Sequence, residues 1–111
     1  LLGHGGIVVF DHTAKMPFLA HHYARFFAHE SCGVCTPCRI GTQRAVEILD
    51  RVVAGEAEQS ELDLLDDLAS TMRPASLCAL GQMATNPVTS AMKHFPKEFE
   101  RKALTTGHVA E

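Results

Sequence analysis

Apolar residues recur at intervals of three and four along most of the chain, which is the spacing of one buried face of a helix. The first predicted helix covers residues 17–30, with Pro17 at an early helical position where proline is favoured. The second covers residues 37–54, with Thr36 as its N-cap, and it ends at Gly55. Both segments have the length and periodicity of amphipathic helices that pack on a common core.

The same pattern predicts further helices in the second half of the chain. Ser60 is the expected N-cap of a third helix, which runs to residue 73 and is ended by Pro74. The pair Asn86-Pro87 has the signature of another helix start, and residues 97–104 form a last, weaker helical piece. Because only a short acidic loop separates the second and third helices, we expect them to form an antiparallel hairpin.

The first residues differ from the rest. Three glycines precede the apolar run of residues 7–10, which predicts one strand or extended segment. A nucleotide-binding loop is disfavoured, because in that motif the glycines follow the strand. We expect residues 1–14 to be an extended segment continuing from an upstream domain, residues 15–104 to be the helical domain, and residues 105–111 to be a tail. The predicted fold class is therefore mainly α, a small bundle built on the helical hairpin.

Composition agrees with one compact domain: the chain has 111 residues, of which 46% are hydrophobic. The formal net charge is −3, which provides no positive surface for nucleic acid and no polybasic patch for a membrane. The apolar run at residues 7–10 is too short to span a bilayer. We therefore expect neither nucleic-acid binding nor direct membrane insertion.

The four cysteines are the candidate chemistry. Cys32, Cys35 and Cys38 are spaced as in the Cys-x₂-Cys-x₂-Cys run of bacterial ferredoxins, in which thiolates bind a [4Fe–4S] cluster. The nearby fourth cysteine of ferredoxins is missing, and Cys78 is the remaining cysteine. An antiparallel hairpin would return Cys78 to the triple-cysteine loop.

Neighbouring residues suit a cluster as well. Gly33 removes a side chain where the main chain would approach inorganic sulfide. The positive end of the second helix would face the anionic cluster. Arg39 and Arg44 would offset the cluster charge, although ordinary surface ion pairing is an equal alternative for both.

Other thiol chemistry remains open on the spacing alone. Zinc accepts four thiolates, but structural zinc sites usually have two separated Cys-x-x-Cys pairs or include a histidine, such as His29. A thiol–disulfide motif would use Cys32 with Cys35, or Cys35 with Cys38, and these pairs overlap. Structural disulfides would leave one of the three clustered thiols without a neighbouring partner.

Two segments of the sequence resemble a known family. They are Ser-Cys-Gly-Val-Cys-Thr-Pro-Cys-Arg-Ile-Gly at residues 31–41 and Ser-Leu-Cys-Ala-Leu-Gly at residues 76–81. Together they resemble the iron–sulfur region of the flavin-bearing subunit of respiratory complex I, and its counterparts in NAD-reducing hydrogenases and NAD-dependent formate dehydrogenases. The resemblance covers about residues 5–101. By position, the ligands of that family correspond to Cys32, Cys35, Cys38 and Cys78.

The resemblance implies a one-electron relay within an NAD(H)- and FMN-dependent oxidoreductase, with FMN and NAD(H) bound in an upstream domain. Ala79 and Leu80 follow the last ligand, and we expect them to face the flavin. Residues 39–43 favour the formate dehydrogenase β subunit, with complex I or a hydrogenase flavin subunit as the alternative. The expected partners are other iron–sulfur subunits, in the cytoplasm or on the cytoplasmic face of a membrane complex. A non-catalytic zinc module is the alternative of another class.

Overall fold

The computed structural model describes residues 3–100, and its regular secondary structure is helical throughout that range. The elements follow in the order α1 Met16–Glu30, α2 Thr36–Val53, α3 Gln59–Ala75, α4 Ala79–Met83, α5 Asn86–His94 and a 3₁₀ helix at Pro96–Phe99. Residues 7–10 form no strand and are exposed. The predicted mainly α fold is confirmed, and the described residues before α1 form no strand.

Contacts at both ends of α2 and α3 show that these helices are antiparallel. Near the end of α2, Arg51 Nε lies 2.5 Å from Oε1 of Glu61 in the first turn of α3. Near the start of α2, a Cβ atom built on Gly41 would lie 2.5 Å from Met72 Sδ, in the last turns of α3. The predicted hairpin is therefore present, and glycine at position 41 allows its open ends to approach closely.

One apolar cluster holds α1, α2, α3, α5 and the 3₁₀ helix together. In α2, Ile48 is 1% exposed and Leu49 is fully buried. Small side chains at Ala20 and Ala24 of α1 let that helix lie close to α2. The buried members of the cluster are Ala20, Ala24, Ala45, Ile48, Leu49, Val52, Ala57, Leu62, Leu65, Val88 and Phe99. This core lies along the hairpin, and Cys38 of the first cysteine segment is buried as well.

The helix starts differ from the predicted ones by one or two residues. The N-cap of α2 is Cys35, which has an extended backbone, and Thr36 is already the first helical residue. The N-cap of α3 is Glu58 and not Ser60, because Glu58 and Glu61 form a reciprocal capping box. A helix does begin at the Asn86-Pro87 pair, but its N-cap is Thr85, and Asn86, the expected cap, is already the first residue of α5.

The end of α3 also differs from the prediction. The helix continues through Pro74 to Ala75, and its C-cap amide, at Ser76, donates to the carbonyl of Met72. Proline lacks one amide donor, and near a helix end that loss removes a single hydrogen bond. The chain therefore turns two residues later than expected, immediately before Cys78.

The last predicted helical piece is described only in part. Residues Pro96–Phe99 form a 3₁₀ helix, which buries Phe99 in the core, whereas residues 101–104 and the predicted tail at 105–111 lie outside the described residues. Within residues 3–100, no helix is long and apolar enough to cross a membrane.

Candidate metal centre

The first cysteine segment joins α1 to α2. Cys32 is exposed and Cys35 is half-buried, whereas Cys38 lies in the first turn of α2 and is only 6% exposed. Thr42, one turn further along α2, donates its hydroxyl to the carbonyl of Cys38 at 2.7 Å. The three thiols therefore range from solvent to the interior, and the main chain at the innermost one is fixed by a buried hydrogen bond.

The second cysteine segment is the turn from α3 to α4. Ser76 is buried, Leu77 is 75% exposed, and Cys78 is the exposed N-cap of α4. Gln82 steadies this turn by donating its side-chain amide to the carbonyl of Ser76 at 3.1 Å. Because Cys78 is exposed, its side chain lies outside the apolar core.

The two segments are in contact. A Cβ atom built on Gly81 would lie 2.8 Å from Cys38 Cβ and 2.5 Å from Ser76 Oγ, so α4 approaches α2 at a distance that excludes any side chain. The main-chain amide of Leu77, in the second segment, also donates a hydrogen bond to the sulfur of Cys35, in the first. The hairpin thus returns the second segment to the first.

Local amide groups favour the thiolate form of Cys35. The main-chain amide of Leu77 has the largest effect in lowering the pKa of Cys35, followed by the amides of Cys38 and of Cys35 itself, with a smaller contribution from the charge of Arg39. Partial burial opposes them by raising the pKa. Because metals bind the thiolate and not the thiol, this environment suits a metal ligand.

Gly33 and Arg39 shape the loop. Gly33 has a φ of +78°, a left-handed conformation that disfavours other residues, and Arg39 Nη1 donates to its carbonyl at 2.9 Å. The nearest atom to a Cβ built on Gly33 would be Arg39 Cδ at 3.8 Å, an ordinary contact. Within the described chain, the left-handed backbone conformation, and not a lack of room for a side chain, therefore favours glycine at position 33. The close approach of its main chain to sulfide stays a prediction.

The remaining predicted site residues fall in different surroundings. Arg44 Nη1 lies 3.4 Å from Glu47 Oε1, which is the ordinary surface ion pair that the sequence left as an alternative. Ala79 is exposed and Leu80 is half-buried, in the first turn of α4. Their orientation toward a flavin stays a prediction. His29 is exposed and lies near Glu30, with 3.9 Å between His29 Nε2 and Glu30 Oε2.

Three residues close to Cys38 were not singled out from the sequence. Ser31 Oγ lies 3.3 Å from Cys38 Sγ, and Gly81 and Ser76 pack beside Cys38 as described above. All three lie within the two segments that carry the family resemblance. Because Ser31 directly precedes Cys32, the sequence alone could have indicated that it lies near the cysteine loop. The contacts of Gly81 and Ser76 instead depend on how α4 packs on α2.

The four sulfurs are not gathered into a ligating arrangement. Among residues 3–100, no three histidine, cysteine, aspartate or glutamate side chains are placed to hold a metal ion. All four cysteines are free, so no disulfide competes for them. Four thiols on two contacting segments match in number what a [4Fe–4S] cluster needs, one thiolate for each iron. The donor set therefore fits a cluster, whereas the ligand assignment stays a prediction.

The fold is a small helical domain that carries four free cysteines. Residues 19–102 match the family described as the NADH-ubiquinone oxidoreductase-F iron-sulfur binding region. The chain belongs to this family. The resemblance deduced from the sequence is thereby confirmed, and so is the expectation of an iron–sulfur cofactor.

Relatives of known name are similar over most of this chain. The NADP-reducing hydrogenase subunit HndC of Solidesulfovibrio fructosivorans is 42% identical over 100 residues, which are 90% of this chain and 20% of that protein. A subunit of the NADH-quinone oxidoreductase of Streptomyces coelicolor is 41% identical over 107 residues, 96% of this chain and 24% of that protein. The chain thus spans a fifth to a quarter of the length of these relatives.

A solved structure shows the same fold. The NAD⁺-reducing [NiFe]-hydrogenase in its H₂-reduced state contains a chain that is 41% identical to this one, with a TM-score of 0.81. The similarity covers 89% of this chain and 17% of that chain. The helical arrangement described here therefore recurs within a larger hydrogenase subunit.

Proposed function

We propose that this chain holds one [4Fe–4S] cluster as a one-electron relay within an NAD(H)-dependent oxidoreductase subunit. The proposed iron ligands are Cys32, Cys35, Cys38 and Cys78. The observation that carries the proposal is the contact between the two cysteine segments, where Gly81 lies against Cys38 in a chain of an iron–sulfur family. A bound [4Fe–4S] cluster supplies one-electron redox chemistry.

The residues of the chain prepare its thiols for that role. The main-chain amides of Leu77 and Cys38 lower the pKa of Cys35 and so favour the thiolate, the form that binds a metal. Thr42 holds the main chain of Cys38, and Arg39 ties the loop at Gly33 to the first turn of α2. The exposed thiols of Cys32 and Cys78 then have room to turn toward their proposed iron atoms.

The relatives favour one of the two oxidoreductase assignments. Their names describe one subunit of an NADH-quinone oxidoreductase and one of a hydrogenase, so a complex I or hydrogenase type subunit is better supported than a formate dehydrogenase β subunit. We propose the former as the setting of this chain. FMN and NAD(H) would then bind in the part of the protein that these relatives have beyond it. Other iron–sulfur subunits would be its partners, in the cytoplasm or at the cytoplasmic face of a complex.

Metal and sulfide analysis of anaerobically prepared protein tests this proposal. We expect about four iron atoms and four acid-labile sulfides per chain, in keeping with a single cubane bound by four thiolates. Stoichiometric zinc without sulfide would contradict the proposal and support a zinc module instead. If the protein holds neither iron nor zinc, and its number of free thiols changes reversibly between oxidising and reducing conditions, a thiol–disulfide switch would be supported.

A further inference from the structure

Two serine hydroxyls near Cys38, those of Ser31 and Ser76, are not explained by the family assignment. We propose that Ser31 donates a hydrogen bond to the ligating sulfur of Cys38, that Ser76 donates to a sulfur at the same corner, and that both raise the reduction potential of the cluster. This inference rests on the proposed function. Both serines would be positioning residues, since they act through the sulfurs and not on a substrate.

The contact of Ser31 has a defined direction once Cys38 is a ligand. Ser31 Oγ lies 3.3 Å from Cys38 Sγ, within reach of a hydrogen bond to sulfur. The amide of Gly33 donates to the same Ser31 oxygen at 3.3 Å. A ligating thiolate has no proton to give, so the serine must be the donor to sulfur. The chain of donors then runs from Gly33 through Ser31 to Cys38, and each bond polarises the next.

Ser76 supplies an independent observation near Cys38. Its side chain is 5% exposed, and its hydroxyl oxygen has no hydrogen-bond partner within the described part of the chain. The position of a Cβ on Gly81 lies 2.5 Å from Ser76 Oγ and 2.8 Å from Cys38 Cβ, so serine and cysteine are near neighbours. Buried hydroxyls are almost always paired. A sulfur at the Cys38 corner is a partner that would satisfy this one.

The effect on the cluster follows from charge. Reduction adds one negative charge to the cluster, so a hydrogen-bond donor directed at its sulfurs stabilises the reduced form more than the oxidised form. Two such donors at one corner should raise the reduction potential together. Removing either hydroxyl should therefore lower the potential while leaving the four cysteines in place.

The test uses the cluster-loaded protein and compares Ser31→Ala and Ser76→Ala with the unmodified chain. Redox titration followed by EPR should show a lower midpoint potential in each variant and the lowest in the double variant, at unchanged iron and sulfide content. Ser31→Thr keeps a hydroxyl and should stay close to the unmodified potential. The matched control is Ser90→Ala, because Ser90 is exposed and donates to the carbonyl of Pro87 at 3.3 Å, away from the cysteines.

A second readout separates a hydrogen bond from a purely structural role. Pulsed electron–nuclear double resonance of the reduced cluster, recorded in H₂O and after exchange into D₂O, should show couplings from exchangeable hydrogens. These couplings should be lost in the alanine variants. Unchanged potential and unchanged couplings in cluster-loaded variants would overturn this inference alone. If Ser31→Ala does not assemble a cluster, the Ser76→Ala variant decides by the same two readouts. Absence of any cluster in unmodified protein would overturn the proposed function, and this inference with it.

Discussion

The hairpin core and the cysteine region are built on different principles. In the core, Ile48 and Leu49 are almost completely removed from solvent and contact several helices. In the cysteine region, Val34 is 73% exposed, Leu77 is 75% exposed, and both Cys32 and Cys78 face solvent. The core is stabilised by apolar burial that needs no cofactor. The cysteine region instead depends on a few hydrogen bonds and glycine contacts, and its four cysteines are free of disulfides.

The same substitution in the two regions should have very different effects. Leu49→Ala leaves a cavity in a fully buried site and should lower the free energy of unfolding by about 2–5 kcal/mol. Leu77→Ala removes an exposed side chain and should change the free energy of unfolding by no more than about 0.5 kcal/mol. Denaturant unfolding of both variants measures the difference. Equal losses would show that the cysteine turn belongs to the cooperative core.

Gly81 tests the place where the two regions meet. Gly81→Ala would set a methyl group 2.8 Å from Cys38 Cβ and 2.6 Å from Ser76 Cβ, neither of which can move independently of the main chain. We expect a loss of about 1–3 kcal/mol in the free energy of unfolding, as for other overpacked sites, together with reduced iron content. An unaltered stability and iron content would mean that α4 does not approach α2 as described.

Gly33 tests backbone conformation within the cysteine loop. Gly33→Ala should lower the free energy of unfolding by about 1–2 kcal/mol, because φ at this position is +78° and residues with a Cβ disfavour the left-handed region. Gly33→Asn is the matched control, since asparagine enters that region more readily, and it should recover part of the loss. The free energy of unfolding of the two variants gives the comparison, and equal losses would point to a steric cause instead.

The smallest expected effect is the acid sensitivity of the hairpin end. The hydrogen bond from Arg51, followed by the backbone amide of Glu58, lowers the pKa of Glu61 below its ordinary value of 4.5. A carboxyl group with a lowered pKa stabilises the fold above its ordinary pKa, and that contribution is lost as pH falls through the folded-state value. Glu61→Gln should therefore lose less stability than the unmodified chain on going from neutral pH to below pH 4.5. Parallel pH profiles of the unfolding midpoint would refute this.

The difference between the regions also explains what the sequence could predict. The helices, the hairpin and the four cysteines follow from local signals: periodicity, proline and glycine positions, and spacing. The bounds of α3 were less accurate because a capping box with Glu58 outcompeted Ser60, and because Pro74 was accommodated in the last turn. These outcomes depend on which neighbouring groups are available and not on residue type alone.

The contacts around Cys38 could not be predicted from the sequence, because they arise from tertiary packing. Gly81 is separated from Cys38 by the whole hairpin, so its role in letting α4 approach could not be read from spacing. The burial of Ser76 has the same origin, because packing of α4 and not local sequence encloses its hydroxyl. The motifs contained these residues, and only the fold gave each of them a physical reason.

The most direct test of the account asks whether Cys78 completes the ligand set. In Cys78→Ala, prepared anaerobically, we expect the reduced-state EPR signal of the intact [4Fe–4S] cluster to disappear while far-UV circular dichroism keeps the helical content of the core. The control Leu77→Ala alters the adjacent exposed side chain and should retain both signals. An unchanged EPR spectrum and four iron atoms per chain in Cys78→Ala would contradict the account.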